Sequence, residues 1–277
     1  MKKFTLNNGL ELPAIGFGTY KAASSDVILN AIKAGYTYFD TAEFYGNESF
    51  IPQALKQSNL SREKIIIASK VWKTSMGYDN TISAFNHTLE NLQTDYLDIY
   101  MIHWPRPDLE LSDWKNLDLQ TWRAMEDLFT QGKIKALGLS NFLPIHAENI
   151  LNHCKIKPSV AQIEFHPGHT QTFALNYYRE KNIIVQAWSP IGRGRVLNDE
   201  LINALAKKYN VSPVQICLCF DLSENVMPIP KASSLERMRE NLDSQNITLE
   251  REDILQLENM PPLGWSGEHP DRVRIKI

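Results

Sequence analysis

Eight times along its 277 residues this chain repeats one device, a short apolar run followed by a helical pattern. The runs are 14–19, 36–41, 65–72, 96–103, 134–141, 159–166, 183–190 and 226–231. They are rich in Ile, Val and aromatics, and most lack clean alternation, as strands buried on both faces do. Between the third and fourth runs, Ile82, Phe85, Leu89 and Leu92 share one helix face, with Asp79 as the expected N-cap. Leu119, Trp122, Met125 and Phe129 build the next helix, which stops at Gly132. Pro52 sets the second helix to start late, capped by Ser49. Ser212-Pro213-Val214-Gln215 joins a capping box to proline at the first helical position, so 191–225 holds two helices. Parallel neighbours need a crossover between them, so this alternation specifies a parallel sheet. A doubly wound sheet and a closed barrel both satisfy it. No composition break or linker divides the chain, which favours one (β/α)8 TIM barrel, 1–277, as a single domain. A hairpin around Asn8-Gly9, within 4–12, is expected to cover one end of it.

Composition sets outer bounds. With 43% hydrophobic and 22% charged residues the chain can bury a large core. A net charge of −3 gives no reason to expect a nucleic acid or membrane partner. No apolar stretch follows the lysines of MKKFTLNNGL as a signal peptide would require, and no run approaches a membrane span. Cys154, Cys217 and Cys219 form no Cys-x-x-Cys pair and suit a reducing compartment. The expectation is a cytoplasmic protein, monomeric, with a homodimer left open.

In such a barrel, chemistry sits at the C-terminal ends of the strands. There the sequence places Gly18-Thr19-Tyr20, Asp40 with Tyr45 just beyond, Lys70 and Trp72, His103-Trp104, Ser140-Asn141, Gln162, Trp188-Ser189-Pro190 and Lys231. Each admits a bland reading. Asp40 and Lys70 could be a structural ion pair, His103 a satisfied core histidine and Tyr45 a packed aromatic. Four polar groups converging on one mouth are costly to bury without use. Together they suggest proton transfer. A phenol titrates near about 10 and is a poor donor at neutral pH. A lysine ammonium held by Asp40 should lower that value, so that Tyr45 protonates a developing oxyanion while His103 orients it. The site has no nucleophile of its own, so the electrons must come from a hydride donor.

The motifs GFGTY (16–20), DTAEFYGNE (40–48), SKVW (69–72), YLDIYMIHWP (96–105), GKIKALGLSNF (132–142), AQIEFHP (161–167), AWSPIGRG (187–194) and IPKASSLERMREN (229–241), in this order, resemble the aldo-keto reductases over nearly the whole chain. Among these, the chain looks closest to small bacterial reductases of diketo sugars, methylglyoxal-like aldehydes and prostaglandin-like ketones. The resemblance implies a catalytic tetrad of Asp40, Tyr45, Lys70 and His103. It also implies reduction of aldehydes and ketones with NADPH, NADH serving less well. By the same resemblance Ser140, Asn141 and Gln162 bond the nicotinamide carboxamide and Trp188 stacks on its ring. Gly18, Thr19, Asp40, Ser189 and Pro190 complete that part of the cofactor site. Ile191, Gly192 and Arg193, with Arg195, form a basic loop suited to clamp the pyrophosphate, or else a solvated surface loop. Lys231 and Arg237 flank a helix start, where the 2′-phosphate of NADP would sit, with Glu240 and Asn241 at the adenine. The family usually has serine after that lysine. Here it is Ala232, and Ser233 or Ser234 is expected to supply the hydroxyl.

Tyr20, Trp72, His103, Trp104 and Trp265 are the expected substrate contacts, with the loop 104–117 and the tail 260–277 as walls and lids. Trp114 and Trp265 serve equally well as packing anchors. Two other functions remain open on the same fold: a Schiff-base lyase with Lys70 as nucleophile, and a slow NADP-binding redox sensor. GLSNF (138–142) lacks the last glycine of a hydrolase elbow, neither Gly16-x-Gly18 nor Gly192-x-Gly194 completes G-x-G-x-x-G, and His166-Pro-Gly-His169 has metal-like spacing but no cysteine partner nearby in sequence.

Overall fold

The computed structural model describes residues 2–272. Strands β1 (Lys3–Thr5) and β2 (Glu11–Pro13) form the N-terminal hairpin, with Gly9 in the left-handed region at its turn (φ +88°). Asn7 donates to the Pro158 carbonyl and Asn8 to that of Lys135, so the hairpin lies across the N-terminal end of the barrel.

The eight expected runs are eight parallel strands, each a little shorter than its apolar run: β3 (Phe17–Gly18), β4 (Tyr38–Asp40), β5 (Ile66–Val71), β6 (Leu97–Ile102), β7 (Ile134–Ser140), β8 (Val160–Glu164), β9 (Ile184–Trp188) and β10 (Met227–Pro228). They neighbour one another in chain order. The ring closes where the Gly16 and Gly18 amides donate to the carbonyls of Pro228 and Pro230, both at 3.0 Å. Glycine is required at the seam, because a Cβ on Gly16 would meet Tyr38 Cδ1 at 2.7 Å. Gly138 answers the same need in β7, where a Cβ would lie 2.4 Å from Val160 Cγ2. All six residues of β6 are buried, and its one charged residue, Asp98, is paired with Arg62 at 2.8 Å and Lys135 at 2.8 Å.

The helices between strands are α1 (Ser25–Ala34), α2 (Phe50–Ser58), α3 (Tyr78–Leu92), α4 (Trp114–Thr130), α5 (Pro144–Leu151), α6 (Thr172–Glu180), α7 (Glu200–Tyr209) and α8 (Pro213–Ser223), with α9 (Leu235–Asp243) and α10 (Arg251–Glu258) after β10. The 191–225 gap does hold two helices, and Ser212 and Gln215 form the expected capping box. Two expectations shift. Helix α3 is capped by Gly77 (φ +100°), whose amide donates to Thr121 Oγ1, and Asp79 sits in the first turn instead. The loop after β6 ends at Asp113, because Trp114 already begins α4. Ser49 does stand at the N-cap of α2, but its side chain makes no cap bond. No helix among the described residues is long and apolar enough to cross a membrane.

Candidate active site

Asp40 ends β4, and Lys70 sits one residue before the end of the neighbouring β5. Their side chains meet inside the mouth. Lys70 Nζ donates to Asp40 Oδ1 at 2.6 Å and to the Thr41 carbonyl at 3.0 Å, with no exposed surface. Asp40 Oδ2 accepts from Gln162 Nε2 at 2.7 Å. Gln162 also donates to Gln186, and Gln186 to the Tyr38 hydroxyl, so a chain of amides runs down from the carboxylate through the barrel centre. A buried ion left unpaired would cost several kcal/mol. Here the carboxylate is met on both oxygens. Burial lowers the Lys70 pKa, and Asp40 offsets part of that effect.

Tyr45 lies on a 3-10 turn, Glu43–Tyr45, which ends at Gly46 in the left-handed region. The Lys70 ammonium is 5.3 Å from the Tyr45 ring centre, and the rings of His103 and Tyr20 are 5.7 and 4.9 Å away. The structure therefore gathers all four expected tetrad residues. The electrostatics differ from the sequence expectation. Burial pushes the Tyr45 phenol well above its ordinary range, and the charges of Asp40, Tyr20 and Glu268 push it further. The first reason is the loss of water around the phenol, and the second is the charge of Asp40, which opposes its ionisation. Tyr45 is thus a firmly neutral acid.

Trp72 stacks on Phe44 at 4.0 Å and meets His103 edge-on at 5.0 Å. Phe44, half exposed at the rim, is an aromatic neighbour of Trp72 and His103 that the sequence reading missed. Trp104 is buried beneath the same mouth, and Tyr20 is half-buried at its edge. A cleft of about 290 Å³ opens alongside, with Trp104, Asn141, Trp188, Trp265 and Glu268 in its walls.

Asn141 follows β7 in the left-handed conformation (φ +63°). Its amide donates to the His103 carbonyl and to Ser140 Oγ, and its oxygen accepts from the Trp188 indole at 2.7 Å. Ser140, Asn141 and Trp188 are thereby joined, while Gln162 is drawn to Asp40. Ser189 and Arg193 also take positive φ, so the chain from Ser189 through Pro190, Ile191 and Gly192 is sharply turned. The Arg193 guanidinium lies 5.7 Å from the Trp188 ring centre and pairs with Glu268. Arg195 donates to the Trp265 carbonyl at 2.8 Å. At the seam strand, Gly18 passes 3.3 Å (Cβ position) from the Ile229 carbonyl, and the Thr19 hydroxyl is buried with no partner.

Lys231 lies on the surface after β10 and donates to Ser233 Oγ at 2.7 Å. Ser234 caps α9 by accepting from the Arg237 amide. The two serines after Ala232 thus divide the work, one beside the lysine and one at the helix start. Arg237 is exposed, Glu240 is half-buried beside an open groove of about 660 Å³, and Asn241 is buried.

The described part of the tail, 260–272, has no helix, and the remainder lies outside the described residues. Ser266 donates twice to buried Glu164 at the end of β8, through its amide at 2.8 Å and its hydroxyl at 2.7 Å. Asp271 receives both Arg106 and His146 Nε2–H. Trp265 is 40% exposed and stacks near His169, so it belongs to the mouth, whereas Trp114 packs edge-on against His146 at the start of α4. The sequence reading missed Glu164 and Glu268. An acid closing a strand was the available signal for the first; nothing local marked the second. His166 Nδ1–H donates to the Pro167 carbonyl, and no group of described residues gathers metal ligands.

A sequence profile of the Aldo/keto reductase family matches residues 14–260. This chain belongs to that family. It is 40% identical to glyoxal reductase of Bacillus subtilis (strain 168) over 272 residues, covering 97% of this chain and 96% of the relative. Among solved structures, an aldo-keto reductase from a Medee basin deep-sea metagenome library superposes with a TM-score of 0.91 at 34% identity, covering 99% of this chain and 100% of that one. An aldo-keto reductase complexed with NADPH gives 0.88 at 28% identity, with 97% and 90% covered. The TIM-barrel fold and an oxidoreductase activity follow for this aldo-keto reductase, whose class of reaction is carbonyl reduction.

Proposed function

We propose that this aldo-keto reductase, acting as one catalytic domain, reduces small aldehydes and ketones to alcohols with NADPH, and that Tyr45 donates the proton. The observation that carries this reading is the buried Lys70 ammonium, pinned by Asp40 and set against the Tyr45 ring beside His103. A neutral Tyr45 hydroxyl donates to a carbonyl oxygen as negative charge gathers there. His103 orients that oxygen, and Lys70 steadies the phenolate left behind. Because burial holds the phenol neutral at rest, its proton moves only when the substrate oxygen becomes a strong enough base.

The residues present fit a dinucleotide. Thr19 offers a buried hydroxyl without a partner, Trp188 a flat ring at the mouth, and Lys231 an exposed cation beside the α9 N-terminus. NADPH would supply the hydride. Asn141 and Ser140 would hold its carboxamide, Arg193 its pyrophosphate, and Lys231 with Ser233 and Arg237 its 2′-phosphate. Likeness to a glyoxal reductase and the aromatic cleft favour small aldehydes and dicarbonyls as substrates. Free cysteines suit a reducing cytoplasm. A Schiff-base lyase is disfavoured, since Lys70 is sealed from solvent and held by a carboxylate.

Single-turnover mixing of protein, NADPH and glyoxal, followed at 340 nm, tests the reading; a panel of aldehydes and dicarbonyls that leaves NADPH unoxidised would overturn it. Lys231→Ala should raise KM for NADPH by about tenfold to a hundredfold, as loss of one or two charged hydrogen bonds would, and barely alter that for NADH. Equal changes for both cofactors would remove the 2′-phosphate assignment.

A further inference from the structure

We infer that Glu43, outside the tetrad, is a positioning residue that staples the turn carrying Tyr45 to the strand end carrying Lys70. The inference rests on the reductase reading above. Glu43, Phe44 and Tyr45 form one 3-10 turn. The Glu43 carboxylate reaches across to the chain leaving β5, where Oε2 accepts from the Trp72 amide at 2.8 Å and Oε1 from Ser75 Oγ at 2.6 Å. Ser75 is itself fixed, its amide donating to the Trp72 carbonyl at 2.9 Å. On the far side of the same turn, buried Asn47 donates to the Thr19 carbonyl at 2.9 Å. The loop is thus tied to β3 on one flank and to β5 on the other.

Geometry makes the second tie the one that matters for proton transfer. Lys70 lies two residues before Trp72 on a strand with little freedom to move. Tyr45 lies two residues after Glu43 on a turn of three. Both carboxylate oxygens are used, so Glu43 fixes rotation of the turn as well as its distance from the strand. Phe44 cannot replace it, because stacked rings slide at little cost whereas paired charged hydrogen bonds do not. Releasing the staple leaves the proton donor attached but free to drift relative to Lys70 and His103. A displacement of about 1 Å at a reacting group costs roughly a hundredfold in rate.

The test compares Glu43→Ala, Glu43→Gln and Ser75→Ala. Glu43→Ala is expected to lower kcat by about tenfold to a hundredfold while the Kd for NADPH stays within about twofold. Glu43→Gln should recover most of the rate, because its amide oxygen still accepts from Trp72. Ser75→Ala removes one arm and should cost a few-fold in kcat alone. Hydrogen exchange at the Trp72 amide should accelerate in Glu43→Ala and not in Glu43→Gln. A folded Glu43→Ala enzyme with kcat within twofold of the parent would overturn the staple, as would a Gln variant no better than Ala. If Glu43→Ala does not fold, Ser75→Ala decides: an unchanged kcat overturns the proposal. A parent protein that never oxidises NADPH would refute the reductase reading instead, while unaltered Trp72 exchange in Glu43→Ala would separately refute the staple.

Discussion

The mouth of the barrel is built from two regions held in opposite ways. The strand ends carry Asp40, Lys70 and Gln162, all buried, with each charged atom met at 2.6–3.0 Å by a partner on neighbouring strand ends or, for Gln162, across the barrel on β8. The tail lies over them on longer reach. Its anchors are Arg193 to Glu268, Ser266 to Glu164 and Asp271 to Arg106 and His146, most of them half exposed. The family profile ends at residue 260, just where this second region starts. On the function proposed above, the chemistry falls to the buried strand ends and substrate choice to the more exposed tail. Ion pairs exposed to water are worth at most about 1 kcal/mol, whereas severing a buried one costs about 3–5 kcal/mol.

That contrast can be broken by experiment. The largest effect belongs to Tyr45→Phe, which should lower kcat by roughly 10²–10⁴ while NADPH still binds; near-normal turnover would be fatal to the proton-donor role. Next is Lys70→Met. It strands Asp40 in the core and should reduce unfolding stability by about 3–5 kcal/mol in urea titrations, besides abolishing turnover. A stable, inactive variant would show that the pair serves catalysis alone.

A smaller effect concerns Asp118, buried on α4 beneath the loop after β6. One oxygen accepts from the Arg106 amide, the other has no partner, and burial pushes the carboxyl up to about 8. Its folded pKa lies above its unfolded one. The contribution to stability is therefore full below about 4 and declines as pH rises towards about 8. Asp118→Asn should flatten that decline and gain relative stability at pH 8; a parallel pH–stability curve in the variant would disprove it. The smallest effect is expected from Glu268→Gln, at most about 1 kcal/mol in thermal unfolding. A loss as large as that of Lys70→Met would erase the distinction between the two regions.

The same division explains what was legible. A buried strand that ends on Asp40, or carries Lys70 or Gln162, advertises itself, because the residue type contradicts its surroundings. Once the strands are in order, parallel pairing brings those residues together. The tail offered no such contradiction. Ser266 and Glu164 are separated by 102 residues, Arg193 and Glu268 by 75, and each is an ordinary polar residue until the fold joins them. The Tyr45 phenol shows the limit of local reasoning: proximity to Lys70 suggested acidification, but burial and the charge of Asp40 outweigh it.

By itself, the sequence determined the eight strand–helix units, a parallel sheet and the set of polar groups at the strand ends, while closure of the ring came from the structure. Hydrophobic periodicity and strand direction are properties of short segments, and a parallel sheet converts them into position. Only the tertiary structure decided that Phe44 stacks on Trp72, that Glu43 ties the Tyr45 turn to the chain leaving β5, and that the tail reaches Arg193. Those depend on loop conformation and on how deeply each charge is desolvated, which no segment encodes alone.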